Sequence, residues 1–517
     1  MKKWLLRIGA TILGILLLLI VLGLLNMRDR HPGYEVDLLI HGAETPGTIK
    51  VGFAAFPITP TVIDTWNDKN GDARFNEKDG DTYNDNNNNG KFDAFWIAGF
   101  SNKKPANGVH DDVWARTVVF DDGNTRLAMV SLDAIGFMHE DVVDIRLEIP
   151  EELGIDYTVI SSTHTHESND LIGIWGESPL KSGVNKEMMK YVKSQTLASI
   201  TKAVKGLRPA KLQFSEDLTG AKDQLMDTRE PIVFDAGMRF IQAIDTENDS
   251  TLGVVVTWGN HPETLWADNL LISSDFPHYV REFIEKGVYN NGELIMPGVG
   301  GTAVYFSGAV GGLMTTRGSM PIKGPFSDTE FTTPNYDKLL AQGQKLGLLS
   351  LNALANPDSI VEESQISIHA KTIELPLANN TFKLAAAIGL LNKGLTGFFT
   401  ARTEIAAFSI GPASIICVPG EIYPEIVNGG IETPEGQDFD IQPVETPPLR
   451  ELMPGKYKFV LGLANDEIGY IIPKSEWDVE APYLYGAKKS PYGEGNSFGP
   501  ETAPILHKEF QTILGEL

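Results

Sequence analysis

The chain has 517 residues, 42% of them hydrophobic and 21% charged, a globular composition with enough apolar content for one large core or two smaller ones. A disordered chain and a collagen-like repeat are excluded. Lys plus Arg is 43 against Asp plus Glu 68, and the formal charge of −25 is the wrong sign for gripping a phosphate backbone, so no nucleic-acid partner is expected.

Residues Ile8 to Leu25 form an unbroken run of 18 apolar and small residues, with Lys2, Lys3 and Arg7 before it and Asn26, Arg28 and Arg30 after it. The run is long enough to cross a bilayer. Cleavable signal peptides carry an apolar stretch of ~7–15 residues and a small-residue cleavage site. Leu22-Gly23-Leu24-Leu25-Asn26 offers no such site. Residues 1–30 therefore read as an uncleaved signal-anchor, and the absence of any polar face argues against a buried helix of a soluble domain. Basic residues at the extreme N-terminus favour a cytoplasmic start, which puts the body in the periplasm or the exterior. The strong acidity of the chain is expected to disfavour close approach to anionic headgroups.

Residues 45–517 read as a single large domain of mixed α and β structure (α+β). Val- and Ile-rich strand runs are expected at 49–55, 116–120, 126–132, 157–161, 253–258, 303–306, 413–418 and 456–463. Asp122-Gly123 marks a hairpin turn between two of them. Helical periodicity is found at 186–205, 277–286 and 336–355, so helices and strands mingle along the chain.

An insert at 64–95 is rich in Asn and Asp: the thirty residues from Asp64 to Asp93 include eight acids and eight asparagines. Asp68, Asn70 and Asp72, with Asp79 further on, form one stretch of oxygen-bearing side chains; Asp85, Asn87, Asn89 and Asp93 form another. Calcium takes about six to eight oxygens, which alternate residues of a tight loop can supply. Trp96 stands where an EF-hand places its bidentate Glu, and Ala73 stands where it places its glycine. The spacing instead resembles the calcium loops of dockerin and thrombospondin type 3 repeats. A structural calcium ion would order a segment with too little apolar content to order itself; the other reading is a solvated acidic loop.

Four polar motifs follow apolar strand runs: Thr163-His164-Thr165-His166, Gly259-Asn260-His261-Pro262-Glu263, Pro419-Gly420-Glu421, and Ala464-Asn465-Asp466-Glu467-Ile468-Gly469-Tyr470. Strand ends hold side chains rigidly at a crevice, a common layout for an enzyme site. The only cysteine is Cys417, so a metal here falls to His, Asp, Glu or Tyr, and two histidines with two carboxylates make a natural zinc set. On an extended segment His164 and His166 share a face, so that one binds metal while the other contacts substrate or moves a proton. His110 has nothing in its spacing to raise it above a structural histidine. Gly259-Asn260-His261 is similar to a box of dinuclear phosphoesterases, but the Asp-x-His element that those enzymes place after their first strand has no counterpart in that position, and no Gly-x-Ser-x-Gly elbow is found.

In this order the four motifs resemble the neutral/alkaline (non-lysosomal) ceramidase family. Further parts of the resemblance are Val51-Gly52-Phe53, Ile58-Thr59-Pro60, Ala115-Arg116, Val130-Ser131-Leu132-Asp133, Leu271-Ile272-Ser273-Ser274-Asp275 and Phe498-Gly499-Pro500-Glu501-Thr502. The resemblance covers nearly all of the chain after the anchor apart from the insert. It implies a zinc ion held by His164, His261 and Glu421, with Glu467 where the family has a tyrosine and Tyr470 matching a second family tyrosine. It also places Met314, in Gly311-Gly312-Leu313-Met314-Thr315-Thr316, at the position of the serine associated with amide hydrolysis. Methionine supplies no hydroxyl. The family's Gly-rich segment after Thr-His-Thr-His is here Glu167-Ser168-Asn169-Asp170-Leu171, and no C-terminal immunoglobulin-like domain is expected. The implied function is a membrane-anchored zinc hydrolase cleaving an amide (N-acyl) or ester bond of a lipid-like or other small substrate by metal-activated water, with His166 or Glu167 as proton shuttle and Tyr470 in the site. The alternative is a catalytically inactive, metal-stabilised binding or scaffold protein of the same fold.

Overall fold

Val- and Ile-rich strands that are apolar on both faces need cover on both faces, and that demand sets the layering of the molecule. The structure is a computed structural model and describes residues 2–430 and 442–517. After α1 (Lys2–Asn26), which is exposed along its length, the chain builds two sheets of thirteen principal strands. These are β1 (Asp37–Ile40), β2 (Lys50–Pro57), β3 (Trp114–Asp121), β4 (Arg126–Leu132), β5 (Tyr157–Ser162), β6 (Arg208–Asp217), β7 (Met238–Asp245), β8 (Thr251–Trp258), β9 (Thr302–Ser307), β10 (Ile366–Pro376), β11 (Thr400–Ile410), β12 (Ala413–Cys417) and β13 (Tyr457–Leu461). The larger sheet has the order β9-β8-β7-β6-β2-β3-β4-β5, with the short strand Ser359–Val361 also beside β6; the smaller has the order β1-β10-β11-β12-β13. The pairs β8/β9, β4/β5 and β12/β13 are parallel and the remaining neighbours antiparallel.

The sheets pack face to face. Phe120, Met129, Phe214 and Val255 from the larger meet Ile368, Phe408, Ile415 and Phe459 from the smaller in one core. Alternate residues of the same strands, such as Val119 and Val130, face outward and are covered by α2 (His139–Glu148) and α3 (Lys186–Lys205). At the β8–β9 end of the sheet the covering helices are α4 (Phe276–Lys286) and α5 (Tyr336–Ala355). The outer face of the smaller sheet carries Ile405, Ile416 and Val460 against Leu506 and Phe510 of a C-terminal helix, Thr502–Glu516. Every strand run and helix expected from the sequence is present, within two or three residues at each end. The hairpin at Asp122-Gly123 is present too: Gly123 takes φ +89°, and the Asp122 carboxylate accepts the amides of Asn124 and Thr125 at 2.9 and 2.7 Å.

Contact between α3 and β2 depends on a missing side chain. A Cβ on Gly52 would lie 2.1 Å from the Ala203 carbonyl oxygen of α3. Gly52→Ala is therefore expected to push α3 off the sheet and lower stability by about 1–3 kcal/mol. The check is the urea midpoint; an unchanged midpoint would show that α3 can shift freely.

The Asn/Asp-rich insert corrects one expectation. Trp66, Phe75, Tyr83 and Phe92 stack in a cluster with ring centroids 4.7 Å apart for Phe75–Phe92 and 5.0 Å for Tyr83–Phe92. The segment thus has its own small apolar centre, hidden in the sequence because its four aromatics are widely and irregularly spaced. Around it, the Asp68 carboxylate accepts the amides of Gly71 and Ala73 (2.8 Å each), and that of Asp85 accepts those of Asn89 and Gly90 (3.0 and 2.7 Å). Ala73, at the sixth loop position, takes φ +59° without being a glycine.

Candidate metal centre

All four polar motifs converge from strand ends. After β5 the chain turns sharply: His164 takes φ +67°, and its amide donates to the Ala134 carbonyl at 2.9 Å. Such a left-handed, non-glycine residue carries strain that the surroundings must hold in place. After β8, the His261 amide donates to the Met314 carbonyl at 3.0 Å. Glu421 pairs in parallel with Tyr470 in a two-residue ladder, so the third and fourth motifs lie side by side.

The imidazoles are oriented by backbone carbonyls. His164 Nδ1 donates to Ile135 O at 2.5 Å and His261 Nδ1 to Met314 O at 2.7 Å. A carbonyl only accepts, so Nδ1 carries a proton in both rings, and Nε2 is the nitrogen that points inward. Those nitrogens face the same Glu421 oxygen, at 3.4 Å from His164 and 3.0 Å from His261. Two imidazoles and a carboxylate that converge in a buried space are held together by a proton, as in the 3.0 Å hydrogen bond between His261 Nε2 and Glu421, or by a metal cation in its place. Burial alone would raise the Glu421 pKa, but the neighbouring His164 and His261 outweigh it and hold it low.

Glu467 comes to the same place. Its Oε1 accepts the Gly469 amide at 2.9 Å, while Oε2 is buried with no hydrogen-bond partner among the described residues. Burial and the charge of Glu421 push its pKa well up. This unpaired carboxylate oxygen belongs to a residue that lines the same cavity as His164 and Glu421. The donor set and the unpaired atom thus fit zinc.

His166 completes the cluster: ligand nitrogens of His164, His166 and His261 all lie within 4.8 Å of one another. Its ring slots against Gly99, where φ is +116° and a Cβ would fall 2.6 Å from Nδ1. Neither ring nitrogen has a hydrogen-bond partner among the described residues. Glu263 Oε2 is 3.3 Å from Nδ1 but off the hydrogen-bond direction. Burial, with the adjacent His164 and His261, holds the His166 pKa well below the usual imidazole value. Glu263 accepts the Thr315 hydroxyl through its other oxygen. Neither Glu263 nor Thr315 was assigned a role from sequence. The available signal for Glu263 was its position two residues after His261, the spacing that also sets His166 beside His164.

Glu167 turns away from this centre. It lies fully buried against Lys104 Nζ at 3.6 Å and accepts Asn269 Nδ2 at 2.7 Å, with burial pushing its pKa up to about 8. The Met314 side chain packs into the core with Trp258, its sulfur 3.4 Å from the Asp235 amide, so its contribution to the site is the carbonyl that holds His261. His110 stacks on Tyr336 at 4.0 Å and pairs with Asp111 at 2.9 Å.

The centre opens into an apolar cavity. His164, His166, Glu421, Glu467 and Tyr470 line its polar end, and Ile135, Ile172, Leu377, Phe382, Leu391 and Phe498 line its walls. Burial and the Glu421 charge raise the Tyr470 pKa well above that of free tyrosine, so it stays a phenol. Two motifs quoted for the resemblance prove structural: Asp133 after β4 accepts the Ser274 hydroxyl at 2.8 Å and a forked pair of bonds from Arg281 of α4 at 2.8 and 2.9 Å.

No protein-family model and no curated protein matches the sequence. Among solved structures, the fold is shared with neutral ceramidase from Pseudomonas aeruginosa, at a TM-score of 0.63 and 15% identity over 91% of this chain and 74% of that one. A ceramidase complexed with C2 gives a TM-score of 0.60 at 15% identity, covering 90% and 75% of the two chains.

Proposed function

We propose that this chain, which has a neutral-ceramidase-like fold, is a zinc-dependent hydrolase of an amide (N-acyl) or ester bond in a lipid-like substrate. The observation that carries the reading is the convergence of His164 Nε2, His261 Nε2 and Glu421 Oε2 at the polar end of an apolar cavity. His164, His261, Glu421 and Glu467 would hold the zinc, which would supply Lewis acidity to a substrate carbonyl and acidify water.

The protein's own groups do the rest. His166, kept neutral by burial and its two neighbours, accepts the proton of the attacking water and returns it to the leaving nitrogen or oxygen. Glu263, anchored by Thr315, limits how far that ring can turn. Tyr470, kept as a phenol, donates to the oxygen on which negative charge develops. Apolar walls take the hydrocarbon portion and exclude bulk water. In this scheme Glu167 braces the loop through Lys104, and no side chain at 314 is needed as nucleophile.

Two further assignments belong to the same reading. Helix α1 anchors the chain in a membrane with the body on the extracytoplasmic side, supported by its length, its apolar surface and the basic N-terminal flank. Calcium ions occupy the two insert loops, one held by Asp68, Asn70, Asp72 and Asp79 and the other by Asp85, Asn87, Asn89 and Asp93.

The test uses the full chain purified in detergent. About one zinc per chain and hydrolysis of N-acyl lipids are expected. His166→Gln is expected to keep the zinc while kcat falls on the order of 10²-fold. A zinc-free parent protein overturns the mechanism, and a zinc-loaded one inert on N-acyl and ester substrates favours the scaffold alternative.

A further inference from the structure

The helix that would cross the membrane and the wall of the cavity are built on the same piece of chain. Helix α6 (Asn380–Ala387) and the loop that follows it, to Phe399, turn Phe382, Ala386 and Leu391 into the cavity. The other side of this segment receives the end of α1. Gly23 lies against Ala387, with 3.7 Å from its Cβ position to the Ala387 Cβ, and Asn26 Nδ2 donates to the Ala387 carbonyl at 2.8 Å. The chain beyond is fastened as well: the Leu395 amide donates to Met27 O at 2.8 Å, and Arg402 grips Asp29 with two bonds of 3.1 and 2.9 Å. The exit from α1 is therefore a fixed joint, not a tether.

Length then sets a level. The 18 apolar residues Ile8–Leu25 span about 27 Å as a helix, close to the ~30 Å of hydrocarbon in a bilayer. Gly23 is near the upper end of that span, so Ala387 and the outer side of α6 sit at the membrane boundary. That outer side is apolar and open to solvent among the described residues: Leu384 is 58% exposed, Ile388 42% and Phe398 93%. Its charge fits too. From Leu375 to Thr403 there is no acidic residue, in a chain with 68 of them among 517; of the basic residues there, Lys383 reaches the surface, while Lys393 is buried against Asp466 and Glu140 and Arg402 is paired with Asp29. The Lys383 ammonium lies 4.5 Å over the Phe399 ring, and Arg28 and Arg30 flank the helix exit. The acids that contact this segment, Asp29, Glu140 and Asp466, are taken up in ion pairs with Arg402 and Lys393, so the repulsion of anionic headgroups expected from overall acidity would be weakest at this face.

We infer that the face made by Leu384, Ile388 and Phe398 is sunk into the interfacial layer of the bilayer that holds α1, so that lipid substrate enters the cavity sideways from that leaflet. The inference rests on the reading of α1 as a membrane anchor. Lys383, Arg28 and Arg30 would meet the phosphate level, and the pair Phe398–Phe399, with centroids 4.7 Å apart, would enter the headgroup–acyl boundary as the apolar side of an interfacial segment does.

Cys417 is fully buried, so single cysteines placed at the surface can be labelled alone. The full chain is made with Leu384→Cys, Phe398→Cys or Ile360→Cys, each carrying a nitroxide, and reconstituted into phosphatidylcholine vesicles. Ile360 is the aqueous control. It is half exposed and lies at the opposite end of the β10–β11 ladder, whose eleven paired residues span about 35 Å. Flotation of the vesicles is measured first, then collision of each label with oxygen and with a water-soluble nickel chelate. Labels at 384 and 398 are expected to show a several-fold higher oxygen-to-nickel ratio than the label at 360. Equal ratios at all three sites in floating vesicles overturn the docking and leave the anchor intact. A chain that does not float overturns the anchor, and the docking with it.

Discussion

Replacing His261 with alanine is expected to empty the metal centre and lower kcat/KM on the order of 10³-fold, about 4 kcal/mol of transition-state stabilisation. The residue does two jobs. Its Nε2 stands 3.0 Å from Glu421, and its Nδ1 proton satisfies the buried Met314 carbonyl at 2.7 Å. Alanine removes both, but the backbone amide of residue 261 still donates to the Met314 carbonyl, so the loss of stability that accompanies the loss of metal is that of one hydrogen bond, about 0.5–1.5 kcal/mol. His261→Asn separates the two effects, because its amide can still donate to Met314 O but does not reach inward with a second nitrogen. Metal content by elemental analysis, beside the urea midpoint, decides. Zinc retained in both variants would mean that His261 is not a ligand.

The largest structural effect is expected at Arg281→Met. Arg281 and Asp133 are both buried and joined by two bonds of 2.8 and 2.9 Å, and Asp133 also accepts the Trp114 amide at 2.9 Å and the Ser274 hydroxyl at 2.8 Å. Removing the guanidinium leaves a carboxylate charged and unpaired in the interior, at a cost of about 3–5 kcal/mol. The double variant Arg281→Met with Asp133→Asn removes the stranded charge and is expected to recover part of that loss. Chemical denaturation of the three proteins checks the order. If the single and double variants are equally unstable, the pair acts through packing and not through charge.

These two residues also show where sequence reading reaches its limit. Val130-Ser131-Leu132-Asp133 and Leu271–Asp275 were visible as motifs, yet only the fold reveals that one bonds the other and that neither lines the cavity. The strands at 126–132 and 253–258 were legible because both of their faces are buried, which leaves an uninterrupted apolar run. Strand β10 was not. It buries Ile366, Ile368 and Ala370 in the core between the sheets and then Ile373 and Leu375 in the core beneath the C-terminal helix, so its alternation changes phase midway. Strand β6 was missed because Leu212 and Phe214 face inward between Lys211 and Gln213, too short an alternation to stand out. At the centre, histidines and carboxylates announced themselves by residue type and by their place after strands. The carbonyls of Ile135 and Met314 did not, since a backbone oxygen leaves no mark in a sequence.

The fixed joint between α1 and the body has a consequence for range. A long flexible linker would let the cavity swing round and sample a facing membrane or a soluble carrier. With Asn26 bonded to Ala387 and Asp29 held by Arg402, the end of α1 and the body are joined as one unit, which under the proposed anchoring would have one pose over the bilayer. On the proposed anchoring and lipid substrate, turnover would then work in cis, on lipids that diffuse within the leaflet where the chain resides. A neighbouring vesicle loaded with the same lipid would then lie out of reach until the two membranes exchange material.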